Sequence, residues 1–239
     1  MSSIADSESR RAEAVSVPAG SGRLNGEDIS MEIAAALEEE IVFGRLHPRE
    51  RLIEEELASR FEAKRHIVRQ ALVELERLGL VERVRNRGAV VRLYSAEEVE
   101  DINAVRELLE AHAASLIPLP LSSGAIAVLA AIQERHARAI QESDRRGVFR
   151  TNIEFHKILF AHCGNAALIE AINSFAQKSH AYRSIFVNDA GYLHWAADAH
   201  LAMIDALKRG DRDELVSLCR SHLAPAKNRY IEMFRSRFT

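Results

Sequence analysis

Apolar positions recur at helical spacing along most of the chain and give way only once to β-rich runs. From about Ser30, the residues Ile33, Leu37, Ile41 and Val42 share one side of a helix, which Gly44 and Pro48 stop. A short second helix is predicted over about 54–61, packing Leu57, Ala58 and Phe61. Glu62 and Ala63 connect it tightly to a third, over about 64–78. That helix has the stripe Val68, Ala71, Leu72, Leu75 and Leu78, and Gly79 closes it. The runs Leu80 to Arg85 and Ala89 to Leu93, joined by Asn86-Arg87-Gly88, read as a two-stranded hairpin. Three helices and then a hairpin is the order of a winged helix-turn-helix.

Ser95 with Glu98 then fits a capping box, in which each side chain satisfies the other's free backbone amide. No strand is predicted beyond it. Helical stretches run over about 95–116, 123–145, 147–162, 165–188, 190–209 and 211–236. Pro118, Pro120, Gly147, Gly164-Asn165, Gly191 and Gly210-Asp211 punctuate them. Residues 1–27 lack apolar periodicity and read as a flexible arm. The expected protein is mainly α: an arm at 1–27, a winged helix-turn-helix at 28–94 and an all-α bundle at 95–239.

Composition narrows the class. Apolar residues make up 47% of the 239, enough for a packed core in each of two domains. The longest apolar stretches, such as Gly124 to Ile132, are too short to span a bilayer, so no membrane partner is expected. No basic start followed by an apolar run opens the sequence, which argues against secretion. Cys163 and Cys219 are too few for a disulfide scaffold, and a reducing cytoplasm fits both. The net charge of −3 is uninformative as a total, but its distribution is not. Between Lys64 and Arg92 eight Lys and Arg stand against three acids, a surplus of +5, which leaves −8 for the rest. A basic module on an acidic body suits a reader of double-stranded DNA that has a second task.

On that reading the third helix enters the major groove by its N-terminal end, where Lys64, Arg65, His66 and Arg69 lie off the apolar stripe. A guanidinium can donate two hydrogen bonds to O6 and N7 of guanine, which makes Arg65 and Arg69 the candidates for reading bases. Arg85 and Arg87 on the hairpin are placed to reach phosphate or the minor groove, with Gly88 allowing close approach.

Eight of the ten histidines follow residue 95, and three sit on apolar helix faces. His156 aligns with Leu159 and Phe160, His200 with Met203, Ile204 and Leu207, and His222 with Leu215, Leu218 and Cys219. One inward histidine is ordinarily a hydrogen-bonded core residue. Three on separate helices of one bundle point to a divalent metal, zinc first, with nickel and manganese as alternatives.

The run from Gly44 through Pro48, Arg51-Leu52, Glu55-Glu56-Leu57-Ala58, Arg65, Val68-Arg69-Gln70-Ala71-Leu72, Gly79-Leu80-Val81 and Arg87-Gly88 resembles the GntR family of bacterial regulators. Two positions depart from that pattern. Arg49 stands where the family has glycine, and Lys64 where it has serine or threonine. The run Asn152-Ile153-Glu154-Phe155-His156 with Gly164-Asn165, His200 and His222 is similar to the ligand-binding (FCD) domain of the FadR-type branch. The resemblance implies a metal held by Asn152 and the three histidines, with Asn152 in place of the commoner aspartate. Arg106, in a run that also resembles that domain, can clamp the carboxylate of an effector or pair with Glu110 four residues on; Arg183 is a second clamp candidate.

Together these readings predict a cytoplasmic, homodimeric repressor that binds a palindromic operator and answers to a small organic acid near the metal, and not an enzyme. Two alternatives remain open at this point. One is a metal-dependent enzyme carrying a DNA-binding appendage; the other is a sensor for which the metal is itself the signal.

Overall fold

The computed structural model describes residues 25–84, 88–183 and 189–238. Residues 1–24, Arg85 and Arg87 on the hairpin, and the side chain of Arg183 lie outside what is described.

Asn25 opens α1 (Gly26–Val42) with a capping box: its Oδ1 accepts from Asp28 N at 2.9 Å, and Asp28 Oδ2 accepts from Asn25 N at 3.2 Å. The helix therefore starts two residues inside the segment expected as an arm. β1 (Arg51–Leu52), α2 (Glu54–Arg60), α3 (Arg65–Arg77), β2 (Val81–Val84) and β3 (Gly88–Val91) follow. Val68, Ala71, Leu72 and Leu75 of α3 are buried against Leu37 and Ile41 of α1 in one core. A leucine buried there contributes about 1.5–3 kcal/mol.

The hairpin is one part of a three-stranded antiparallel sheet in the order β1-β3-β2, with Leu52 paired to Ala89 and Val84 to Gly88. β1 adds an edge that the sequence did not announce. It also gives Gly88 its structural reason: φ is +94°, and a Cβ there would collide with the Leu52 carbonyl.

α1, α2 and α3 end alike. In each, the residue after the cap turns to positive φ, and the two amides beyond the cap reach back to carbonyls of the last turn. Gly44 (+69°) and Gly79 (+75°) take that position after α1 and α3, but after α2 it is Glu62 (+49°). A left-handed backbone costs a residue with a Cβ about 1 kcal/mol. Glu62→Gly is expected to raise unfolding stability by about 0.5–1 kcal/mol, read as a higher urea midpoint at unchanged slope. Arg49, where the resemblance expects glycine, also has positive φ (+69°), a backbone that glycine would adopt more easily, and nothing in the structure explains the arginine.

Among the described residues six more helices follow: α4 (Ala96–Leu116), α5 (Ser123–Gln141), α6 (Arg145–Ala161), α7 (Ala166–Arg183), α8 (Ala190–Arg209) and α9 (Arg212–Phe238). Ser95 and Glu98 cap α4 reciprocally as expected. The break between α5 and α6 falls at Ser143 (φ +56°) and not at Gly147, which lies in the first turn of α6 under the Asp144 cap. A Cβ on Gly147 would come within 2.9 Å of Ala139 Cβ, so this glycine serves packing. α4 packs on α9 and α7, α5 lies between α6 and α8, and α8 touches α9. Leu129, Ile132, Phe155, Leu159, Met203, Leu207 and Leu215 fill the centre.

Two sets of contacts tie the basic head to this bundle. Tyr94 donates to the Gly79 carbonyl at 2.7 Å, and Tyr230 of α9 donates to the Tyr94 carbonyl at 2.8 Å. On the other side, Glu39 of α1 accepts from Arg146 Nε (2.7 Å) and Arg150 Nη2 (2.8 Å) of α6. Phe43 meets Phe149 edge-on there, and His180 Nδ1 lies 3.1 Å from Glu38 Oε1.

Candidate metal centre and nucleic-acid interface

His156 on α6, His200 on α8 and His222 on α9 converge. The Nε2 atoms of His156 and His222 are 3.2 Å apart, and those of His156 and His200 are 3.3 Å apart. One ligand atom from each of the three lies within 4.8 Å of the others. The helical stripes read from sequence turn these rings to the bundle centre, where Phe155 stacks on His200 at 4.1 Å and Trp195 on His222 at 5.4 Å.

The tautomer of His200 follows from its neighbour. Gln133 on α5 donates its amide to the Ala197 carbonyl (3.0 Å), so its Oε1 faces His200 Nδ1 at 3.0 Å and must accept from it. The proton of a neutral His200 is therefore on Nδ1, and its Nε2 presents a lone pair to the centre. His156 Nε2 can donate one proton or accept one, and so makes a full hydrogen bond to only one of its two neighbours. A dication accepts all three lone pairs at once. Zinc–nitrogen bonds of about 2.0–2.1 Å at tetrahedral angles separate the nitrogens by about 3.3 Å. The observed spacing and donor chemistry fit such an ion.

Asn152 lies one turn before His156 on α6 and is half-buried. Glu154, considered as a general base for the enzyme alternative, is instead paired with Arg135 at 2.6 Å near the surface. Arg106 is almost wholly buried, and its Nε and Nη2 reach Glu110 Oε1 at 2.9 and 2.8 Å. Cys219, one turn before His222 on α9, is buried, and desolvation pushes its thiol well above the usual range.

Three neighbours escaped sequence reasoning: the buried Gln133 and His136, and the exposed Trp195. Their signal was present, since Gln133 and His136 share the apolar face of α5 with Leu129 and Ile132. His136 Nδ1 lies 2.8 Å from the Thr151 hydroxyl, which itself donates to the Gly147 carbonyl at 2.6 Å. Nδ1 therefore carries the proton. Burial lowers the imidazole to about 4, so it is neutral near pH 7.

On the head, Lys64, Arg65, His66 and Arg69 are exposed at the start of α3, with Lys64 as its N-cap. The basic surplus is smaller than the sequence window implied, because acids outside that window fold back onto it. Arg65 pairs with Glu55 at 2.6 Å and Arg69 with Glu54 at 2.8 Å. Within the window Arg77 pairs with Glu74, and Arg83 with Glu76.

A winged head joined to a helical domain with an inward histidine cluster is the architecture of a DNA-binding regulator. Residues 29–91 match the bacterial regulatory proteins of the gntR family, and residues 101–225 match the FCD domain. The chain belongs to the GntR family, in its branch with a C-terminal FCD domain, and is a DNA-binding transcriptional regulator, not an enzyme. It is 26% identical over 206 residues to the "Probable D-xylose utilization operon transcriptional repressor" of Paenarthrobacter nicotinovorans, covering 86% of this chain and 90% of that one. Its fold is similar to that of E. coli McbR/YncC (TM-score 0.70, 20% identity, 88% of this chain and 99% of that one). It is equally similar to a GntR transcriptional regulator from Rhodococcus sp. RHA1 (TM-score 0.71, 22% identity, 85% and 97%). Among the described residues no helix is long and apolar enough to cross a membrane.

Proposed function

We propose that the chain is a one-component cytoplasmic repressor whose grip on its operator is set by a small organic acid bound beside a divalent metal. The observation that carries this reading is the position of His156 Nε2, 3.2 Å from His222 Nε2 and 3.3 Å from His200 Nε2, with Gln133 fixing the His200 tautomer. Zinc is the first candidate, nickel and manganese the alternatives. Asn152 supplies a neutral amide oxygen as fourth ligand. With no anionic ligand the ion keeps its full charge, which favours an anionic effector. Arg106 and Arg183 are the clamp candidates for its carboxylate. In the head, which we take as residues 28–94, Lys64, Arg65, His66 and Arg69 address base edges, while Arg85, Arg87 and Gly88 meet the DNA backbone. A homodimer on a palindromic site follows from the usual symmetry of such readers. The relative named as a repressor favours repression relieved by the effector.

The route from sensor to reader is supported by α6, a single helix with two ends. It carries Asn152 at its middle and His156 beyond, and its N-terminal half holds Glu39 of α1 through Arg146 and Arg150. A shift of α6 at the metal is thereby felt at the head.

The test uses the DNA duplex that the protein selects from a randomised library. Its affinity is measured in chelator, with zinc, and with zinc plus a panel of simple carboxylic and hydroxy acids. Trp195, the only tryptophan, stacks on His222, so its fluorescence reports zinc directly. The expected result is a zinc-dependent, chelator-reversible fluorescence change and an acid that weakens operator binding at least ten-fold only with zinc present. A response to zinc alone would favour a metal sensor. No fluorescence change and no effect of any acid would remove the metal and effector from the reading. Glu39→Ala is expected to keep both binding events and weaken the link between them.

A further inference from the structure

Arg65 and Arg69 are equivalent by sequence but not in the folded head. Arg69 makes a two-pronged contact with Glu54: Nε to Oε1 at 3.1 Å and Nη2 to Oε2 at 2.8 Å. The Glu54 side chain is only 22% exposed, and the arginine's hydrogen bond holds its carboxyl below the usual range. Arg65 makes one contact, Nη2 to Glu55 Oε1 at 2.6 Å, between two side chains that are 62% and 76% exposed. One guanidinium is therefore fixed in plane and direction by a fork, while the other can rotate about a single bond.

The fork also decides which donors remain. A guanidinium has five N–H groups, and a side-on fork uses Nε–H and one hydrogen of Nη2. Three are left, two of them the end-on pair on Nη1 and Nη2, the edge that matches O6 and N7 of guanine. We propose that Glu54 is a positioning residue for operator recognition: it aims the end-on edge of Arg69 into the groove and makes Arg69 the fixed reader of one guanine. This rests on the proposed placement of α3 in the major groove. The cost of the arrangement is a carboxylate near DNA phosphates, which weakens binding to all sequences. Discrimination rises because the arginine no longer has to be ordered at the moment of reading.

Glu56 supplies the control. It lies in the same first turn of α2, is exposed, and has no side-chain partner among the described residues. Glu56→Gln removes the same charge and the same favourable interaction with the helix N-terminus, but no arginine loses its support.

The experiment measures full-length protein on two duplexes: the one selected by the wild type from a randomised library, and a scrambled duplex of equal composition. Folding of each variant is checked by thermal melting. Glu54→Gln and Glu54→Ala are expected to lower the ratio of the two affinities about ten-fold, with scrambled-duplex affinity equal or higher. Arg69→Ala should lower the ratio at least as far, and adding Glu54→Ala to it should change little. Glu56→Gln should strengthen both duplexes alike and leave the ratio unchanged. A wild-type ratio in both Glu54 variants, or losses that add to that of Arg69→Ala, would overturn the role of Glu54 while leaving the helix placement intact. Wild-type ratios in both Arg65→Ala and Arg69→Ala would overturn the placement of α3 itself, and the proposal with it.

Discussion

Alanine at any one of His156, His200 or His222 is expected to release most of the bound metal and to leave the fold in place. Each ring supplies one of three nitrogens, with His156 Nε2 at 3.2–3.3 Å from the other two, and among the described residues no fourth imidazole joins them. His136 approaches only the far side of the cluster, with its ring 5.3 Å from His200, and does not join the group of three. Loss of a residue that merely orients a ligand costs about 10–100-fold in metal affinity, so loss of the ligand should exceed about 100-fold. Gln133→Leu provides that comparison, since its carbonyl oxygen holds the His200 proton on Nδ1. The fold should persist because the bundle core is made by Leu129, Phe155, Leu159, Met203 and Leu207, and not by the ion. Metal content by mass spectrometry, with helicity by circular dichroism, checks both statements together. Full occupancy in all three variants would return the cluster to ordinary core packing. Asn152→Asp should act in the opposite direction, tightening the metal by adding a negative ligand while weakening the attraction for an anionic effector.

The parts of this molecule that the sequence announced are those set by local periodicity. The α3 stripe of Val68, Ala71, Leu72 and Leu75 is spaced as a helix face and is buried as one. The three inward histidines were visible for the same reason, each lying three or four residues from large apolar neighbours. What escaped depends on partners distant in sequence. β1 is two residues long, and its pairing with Val90 and Ala89 spans nearly forty positions, which no window registers. The acids that cover Arg65 and Arg69 lie ten and fifteen residues upstream, so a charge count from Lys64 onward overstated the basic face. Gly147 misled because glycine serves close packing as well as helix termination. Here Ser143 makes the turn, and Gly147 lets α6 pass Ala139.

Arg106→Ala is expected to destabilise the protein by about 3–5 kcal/mol, the largest loss foreseen for any single substitution considered. The sequence left Arg106 two roles of equal weight, a carboxylate clamp and a partner for Glu110. In the fold both side chains are buried, at 4% and 3% exposure, and the guanidinium gives Nε and Nη2 to Glu110 Oε1. Removing the arginine would strand a buried carboxylate near Tyr182 and Cys219 without its ion-pair partner. The double variant Arg106→Met with Glu110→Leu should recover most of the loss, because replacing both charges by apolar groups of similar shape is often neutral or better. That recovery distinguishes an unpaired charge from a cavity, which the double variant would not repair as fully. Urea unfolding of the three proteins at fixed pH measures it. If Arg106→Ala melts within about 1 kcal/mol of the wild type, Glu110 does not depend on the arginine, and Arg106 is kept for another anion. In that event the double variant, folded and stable, should also lose the response to an acid effector while keeping its zinc and its operator.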